Sequence, residues 1–173
     1  TLFRFSKNKL LFARAYSDMA MIALYRGNMA EAERQLTLAM SEFEKAEDDA
    51  EYARAANRLG MVYRLAGAFE SAEEMHYRAR DIAKRRGWDD LLAETLGDLG
   101  MVYEGKDRFS VALECHEEAL KLYERDPKRA FEAACQKRQI GLCRLRANDL
   151  DGAEKSLNLA LKDFQNPDSF LFQ

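Results

Sequence analysis

The sequence predicts an all-α protein built from four helix-turn-helix repeats. A Leu-Gly-Met-Val-Tyr run at residues 59–63 recurs forty residues later, at 99–103. The 173 residues include only three Val, three Ile and three Thr, too few β-branched residues for a sizeable sheet. Both prolines, Pro127 and Pro167, lie late in the chain, so helices can run through most of it without a break.

The repeat extends over nearly the whole chain. The forty-residue offset also relates Phe69 to Phe109, Ala72 to Ala112, His76 to His116 and Ala79 to Ala119. Similar steps backward and forward give repeats at approximately 10–47, 50–87, 90–126 and 130–165. We expect residues 1–173 to form a single domain, in which 166–173 are a tail or a truncated linker into a further repeat.

Each repeat is expected to contain a first helix, a turn and a second helix that packs back on the first. Small residues mark the helix crossings, in chain order Ala20, Gly60, Gly100 and Gly141. The turns fall at residue types that favour or tolerate a left-handed backbone, in chain order Gly27, Gly67, Asp107 and Asn148. Turn and capping residues at 48–49, 87–90 and 125–127 predict the breaks between repeats.

Composition excludes several function classes. With 47% hydrophobic and 33% charged residues, the chain is typical of soluble globular proteins, and no apolar run is long enough for membrane insertion. A net charge of −3 gives no attraction for nucleic acid. The N-terminus lacks a signal-peptide layout, which favours a cytoplasmic location. Three cysteines without a C-x-x-C pair argue against disulfides or a thiolate zinc site and favour buried, reduced thiols.

Candidate chemical groups are few. His76 and His116 occupy equivalent positions, where the first and fourth repeats have Leu36 and Leu157, so we interpret them as packing residues rather than metal ligands or catalytic bases. No triad pattern or glycine-rich phosphate loop is present. The sequence therefore predicts no catalytic residue, no metal site and no cofactor. A weak alternative is an enzyme that uses the two histidines.

A basic run and the sole tryptophan come at the end of the second repeat. Lys84, Arg85 and Arg86 could bind phosphate, but cations at a helix C-terminus complement the helix dipole, and we favour that interpretation. Trp88 follows in the turn and is expected to join two repeats, with an exposed interaction site as the alternative.

The small residues, the paired alanines and the Leu-Gly-x-x-Tyr runs resemble the tetratricopeptide repeat over about residues 10–165. The forty-residue period is similar to that of the Pins/LGN polarity adaptors and of kinesin light chain. Tyr16, Ala56, Leu96 and Lys137 replace the signature tryptophan of the family. The resemblance implies a right-handed α-solenoid of four repeats that acts as a non-enzymatic adaptor or scaffold for a protein or peptide partner.

The resemblance also implies a peptide-binding groove, because the first helices of such repeats line the concave face. The residues at groove positions are Arg14, Ser17, Met21, Arg54, Asn57, Met61, Arg64, Glu94, Asp98, Met101, Glu104, Arg138 and Leu142. Met21, Met61, Met101 and Leu142 would form an adaptable floor for an amphipathic peptide. The alternative is that these residues are simply half-buried between helices. The positions that clamp a C-terminal carboxylate in chaperone-binding relatives do not match here.

The two ends are apolar where a solenoid normally has a polar cap. The apolar residues of the ends are Leu2, Phe3, Phe5, Leu10, Leu11, Phe12, Ala153, Leu157, Ala160, Leu161 and Phe164. These ends indicate a fragment of a longer protein, association between copies, or ends that fold back. A second candidate function is therefore a sensor or self-association unit, possibly homo-oligomeric, of a larger bacterial regulator.

Overall fold

The chain is all-helical throughout the part that the structure describes. A computed structural model describes the backbone of residues 2–165 and the side chains of residues 8–165. The predicted tail at 166–173 and the side chains of Leu2, Phe3 and Phe5 lie outside this part. Its elements are α1 (Leu2–Tyr25), α2 (Met29–Lys45), α3 (Asp49–Leu65), α4 (Phe69–Arg86), α5 (Asp89–Gly105), α6 (Phe109–Tyr123), a 3-10 helix (Pro127–Arg129), α7 (Ala130–Arg146) and α8 (Leu150–Phe164).

Consecutive helices pair as hairpins: α1 with α2, α3 with α4, α5 with α6, and α7 with α8. The chain divides into two compact units, Thr1–Trp88 and Asp89–Gln173, each with two hairpins. In the first unit α2 packs on α3, and in the second α6 packs on α7. The predicted fold class, all-α with helix-turn-helix repeats packed in series, is confirmed.

The turn within each hairpin adopts the expected left-handed backbone. The φ angles are 76° at Gly27, 77° at Gly67, 56° at Asp107 and 61° at Asn148. After Gly67, the amide of Ala68 donates to the carbonyl of Tyr63 at 2.9 Å, which closes the end of the helix. The sequence prediction of these four turns is therefore confirmed.

The two helices of each hairpin cross at the predicted small residue. A Cβ on Gly60 would lie 2.6 Å from Cε1 and Nε2 of His76, and a Cβ on Gly141 would lie 2.7 Å from Cγ of Leu157. Gly100 lies in the same way against His116. Glycine is required at these three crossings because the opposing side chain occupies the space that a Cβ would need.

The cores consist of alanines with a few large side chains. In the first unit Leu36, Phe43, Leu59 and Val62 are buried in one cluster with alanines of α1, α2 and α3. In the second unit Leu96 and Tyr123 are buried with alanines of α5, α6 and α7. Alanine at the crossings lets helix backbones approach closely, so much of the packing comes from backbone and methyl contacts.

Side chains cap several of the helices. Asn28 accepts a hydrogen bond from the amide of Glu31 at the start of α2, and Asp48 accepts one from Glu51 at the start of α3, both at 3.2 Å. Asp149 caps α8 in the same way. The starts of α4 and α6, at Ala68 and Arg108, have no such side-chain hydrogen bond.

Candidate functional site

In the first unit, two predicted groove arginines lie at the surface around one glutamate. Arg14 Nε is 3.4 Å and Arg54 Nη1 is 3.6 Å from a carboxylate oxygen of Glu51. The two arginine side chains are 50% and 57% exposed, so both can still contact a ligand. Asp48 Oδ2 also lies 3.8 Å from Arg14 Nη2, so two carboxylates offset the charges of the two arginines. What the arginines offer a ligand is therefore their exposed N–H groups.

The four residues predicted to form the groove floor are buried to a similar extent. Met21 and Met61 in the first unit, and Met101 and Leu142 in the second, are all half-buried. Met21 packs against the core cluster of its unit. Part of each side chain thus stabilises the hairpin, and the remaining part lies at the surface of the first helix.

Ser17 and Asn57, two other predicted groove residues, are buried at 4% and 1% exposure. Arg58 Nη1 donates to Ser17 Oγ at 2.8 Å and to Asp18 Oδ1 at 3.1 Å, which links α3 to α1. The Asn57 carboxamide faces His76, 2.8 Å from Nδ1. These side chains are used inside the first unit, where they hold neighbouring helices together.

His76 is completely buried between α3 and α4. Burial, together with the nearby charge of Arg64, lowers the pKa of His76 to about 3, so the ring is neutral at physiological pH. Nδ1 donates to the Asn57 oxygen, which leaves an unprotonated Nε2. Nε2 has no hydrogen-bond partner among the described residues. The same holds for Nε of Arg64, a half-buried residue that was also predicted to lie in the groove. These observations support the interpretation of His76 as a packing residue.

In the second unit, the remaining charged groove residues differ in exposure. Glu94 and Arg138 are exposed, whereas Asp98 is buried at 6% exposure. Burial and the negative charges of Glu94, Glu132 and Asp98 raise the pKa of Tyr123, which places the phenol among acidic groups. Asp98 is therefore less accessible to a ligand than Glu94.

His116 has polar partners on both ring nitrogens, unlike His76. Nε2 is 2.8 Å from Glu104 Oε1, and Nδ1 is 2.8 Å from Gln136 Oε1. The Cys143 thiol lies 3.6 Å from the same Glu104 oxygen, and Gln139 Nε2 lies 3.5 Å from it. We refer to Glu104, His116 and Cys143 as the Glu-His-Cys cluster. His116 is thus both a packing residue and a member of a polar network.

The cluster shifts the pKa values of two of its members. Burial opposes ionisation of Glu104, but the hydrogen bond and charge of His116, the Cys143 thiol and the charge of Arg138 together lower its pKa. Burial and the Glu104 carboxylate raise the pKa of Cys143 to about 12. In the ligand-free chain the carboxylate is therefore ionised and the thiol is protonated.

A cavity of about 230 Å³ opens beside the Glu-His-Cys cluster. Its lining residues are Glu104, Asp107, Phe109, Leu142, Cys143 and Arg146. Sequence reasoning placed Glu104 in the groove but did not connect it to Cys143. The repeat contains a signal that could have located this contact. Gly100 brings α5 close to His116 of α6, and Glu104 lies one helical turn after Gly100.

Two arginines of the basic run at the end of α4 have partners within the first unit. Arg85 Nε donates to the carbonyl of Asp81 at 3.3 Å, and Arg86 Nε donates to Asp49 at 3.0 Å. The Arg85 contact agrees with the predicted role at a helix C-terminus, and the Arg86 contact links the end of α4 to the start of α3. Trp88 is half-buried, and its amide donates to the carbonyl of Ala83 at 3.0 Å, which completes the end of α4.

Comparison with known families gives a direct result. Two family models, both described as tetratricopeptide repeat, match residues 11–85 and 92–125. The chain belongs to the tetratricopeptide repeat family. Tetratricopeptide repeats are protein-interaction scaffolds and are generally non-enzymatic. No curated protein matches the chain in sequence.

Several solved structures share the fold. BtubC (BKLC) from P. vanneervenii has a TM-score of 0.79 at 22% identity, over 88% of this chain and 63% of that one. Aspartyl phosphate phosphatase F from Bacillus subtilis has a TM-score of 0.84 at 12% identity, over 91% and 41%. A Rap protein complexed with competence and sporulation factor has a TM-score of 0.77 at 19% identity, over 91% and 44%. The chain thus spans between about two fifths and three fifths of these proteins.

Among the helices that the structure describes, none combines the length and the apolar character that crossing a lipid bilayer requires.

Proposed function

We propose that the chain is a non-enzymatic adaptor that binds a peptide segment on the surfaces that the first helices form in each of its two units. The observation that carries the proposal is the half-buried Met or Leu at the same position of all four first helices, Met21, Met61, Met101 and Leu142. Flexible, polarisable side chains at a repeated surface position suit an amphipathic peptide. The proposed adaptor is cytoplasmic and acts without nucleic acid.

The charges on these helices indicate which peptide fits. Arg14 and Arg54 are at least half exposed in the first unit and would pair with an acidic side chain. Glu94 and Arg138 are exposed in the second unit and would accept mixed charge. The expected ligand therefore has an apolar stripe, an acidic group for the first unit and no requirement for a free C-terminal carboxylate.

Peptides selected from a random displayed library against the purified chain provide the probe. Fluorescence anisotropy of a selected peptide should show that Met61→Glu combined with Met101→Glu weakens binding by about tenfold or more. Circular dichroism should show unchanged helicity, because both methionines are only half-buried.

Matched controls use exposed leucines of the second helices. Leu38 in α2 is 44% exposed and Leu159 in α8 is 47% exposed. Leu38→Glu with Leu159→Glu makes the same chemical change away from the first helices and should leave the affinity unchanged. Equal loss of binding in both pairs of variants, or none in the methionine pair, would contradict the proposal.

A second candidate function is a sensor or self-association unit of a larger regulatory protein. Met19 and Ile22 on α1 are each 51% exposed, whereas their equivalents forty residues later, Leu59 and Val62, are 4% and 1% exposed. The face that packs in the second hairpin is thus uncovered in the first. One similar structure, the Rap protein, is complexed with a competence and sporulation factor, and this supports a regulatory role.

Sedimentation velocity over a range of concentrations tests self-association. If α1 packs against another copy, the weight-average sedimentation coefficient should rise with concentration, and Met19→Asp with Ile22→Asp should remove that rise. Leu65→Asp alters another apolar side chain, 50% exposed, on α3 and is the control. A concentration-independent monomer would eliminate this candidate without affecting the peptide-binding proposal.

A further inference from the structure

Three side chains that commonly ligate metals meet within the unit Asp89–Gln173. Glu104 comes from α5, His116 from α6 and Cys143 from α7, and one ligand atom of each lies within 4.8 Å of the other two. His116 and Cys143 are buried, and 26% of the Glu104 side chain is exposed. Nitrogen, sulfur and carboxylate oxygen are the donors that zinc prefers in proteins.

The hydrogen bonds of His116 orient one ring nitrogen as a ligand. The Gln136 oxygen accepts the proton of Nδ1, so the electron pair available for a cation is on Nε2. Nε2 faces the Glu104 carboxylate at 2.8 Å. An electron pair and a carboxylate repel each other at that distance unless a cation, either a proton or a metal ion, lies between them. Support through the second nitrogen is the usual arrangement of metal-ligating histidines.

The cluster also has an open side. Glu104 and Cys143 both line the cavity of about 230 Å³, which can hold a water molecule next to them. Three protein ligands with a water in the fourth position is an established coordination of zinc in proteins. Gln139 Nε2, 3.5 Å from Glu104 Oε1, approaches the carboxylate from a further direction.

We propose that Glu104, His116 and Cys143 bind a zinc ion, with water from the cavity as the fourth ligand. Tetrahedral zinc with bonds of about 2.0–2.3 Å separates its ligand atoms by roughly 3.3–3.7 Å, so Glu104 must withdraw slightly from Nε2. Its partly exposed side chain can do so. On binding, Cys143 releases its proton to solvent and becomes a thiolate, and any proton shared between Nε2 and Glu104 is released to solvent as well.

The charges around the site are close to balanced. The carboxylate and the thiolate together neutralise the two positive charges of zinc. Arg138 and Arg146 lie nearby and reduce the affinity for a cation, and Asp107, which also lines the cavity, offsets part of their effect. In the second repeat the residue next to the histidine has the opposite charge. Arg64 takes the position of Glu104, forty residues earlier, and its positive charge acts on His76. That difference excludes a cation at His76 and restricts the site to His116.

Cobalt substitution tests the site with the whole chain, after removal of metals with a chelator. Co²⁺ bound by a thiolate in a tetrahedral site absorbs strongly in the near ultraviolet and gives visible d–d bands. We expect both signals at one equivalent of Co²⁺, and loss of both on addition of Zn²⁺. Cys143→Ser and Cys143→Ala should remove the thiolate band, whereas Cys115→Ser and Cys135→Ser should retain it.

A competition titration between Zn²⁺ and a chromophoric chelator gives the affinity. Glu104→Gln, which keeps the size of the side chain and one acceptor oxygen but removes the negative charge, should weaken Zn²⁺ binding by about tenfold or more. Circular dichroism of each variant verifies that it is folded. Absence of the thiolate band in the parent chain, its persistence in both Cys143 variants, or an unchanged affinity in Glu104→Gln would overturn the proposal.

Discussion

The imidazole of His76 lies directly against the backbone of Gly60, with no room for a Cβ between them. The equivalent pair in the first hairpin is Ala20 and Leu36, both completely buried. The same crossing is therefore built from different pairs: a glycine opposite a histidine ring, a glycine opposite Leu157 at Gly141, or an alanine opposite a leucine in the first hairpin. This exchange of volume between partners gives a direct test of the packing.

Gly60→Ala alone should lower the free energy of unfolding by about 1–3 kcal/mol, because the new methyl group overlaps the His76 ring. Combining it with His76→Leu recreates the pair found at Ala20 and Leu36 and should recover at least part of that loss. Urea denaturation of the parent, both single variants and the double variant measures the coupling. Strictly additive effects would show that the ring and the glycine do not pack as described.

Acid should destabilise the chain through His76. Its pKa is 6.5 in the unfolded state and about 3 in the folded state. Below pH 6.5 the unfolded chain binds a proton that the folded chain excludes, so stability falls as the pH falls from about 6.5 toward 3. At pH 4.5 this single group should cost about 2–3 kcal/mol.

The measurement compares the parent with His76→Leu, since all other titrating groups are common to both. The difference between their free energies of unfolding should change by about 2–3 kcal/mol between pH 7 and pH 4.5, in favour of the leucine variant at low pH. Parallel pH profiles would mean that His76 binds its proton equally well in the folded and unfolded states.

Glu47 has a left-handed backbone, with φ at 54°, in the turn between the first and second hairpins. Its side chain is exposed, so Glu47→Gly removes strain without removing core contacts. We expect a gain of about 0.5–1 kcal/mol in thermal or urea denaturation. Ala46→Gly, at φ −92°, is the matched control and should destabilise instead. A loss of stability in Glu47→Gly would argue against the left-handed turn.

The start of α4 has no capping side chain, although Ala68 has φ −85° and ψ 67°, close to the −90° and 76° of the capping residue Asn28. Ala68→Asn should therefore supply the missing hydrogen bond and add about 1 kcal/mol of stability. Ala68→Leu gains no acceptor and serves as the control. Equal melting temperatures for the two variants would show that the cap does not form.

The repeat pattern was sufficient to predict the helices, their turns and their crossings. Gly67 and Asn148 reveal turns because only certain residues accept a left-handed backbone, and Gly60 reveals a crossing because only a small residue fits there. Helix α1 begins at Leu2, ahead of the predicted first repeat, since no glycine or proline interrupts the sequence before Tyr25.

The polar contacts of the candidate site were less predictable. Asn57 was placed in the groove, but its partner His76 lies 19 residues away on another helix, and hydrogen bonding to that ring buries it. Cys143 meets Glu104 from 39 residues away. Neither spacing is a motif, because side chains on successive helices are brought together by the crossing geometry and not by a fixed sequence interval.

The two buried imidazoles have a practical consequence. The sequence contains only two histidines, one in each compact unit. The NMR spectrum of selectively labelled histidine should therefore contain one set of ring-proton signals for each unit. Each set reports on the packing of the unit that contains its histidine. Loss of the two signals at different denaturant concentrations would reveal which half of the repeat array melts first.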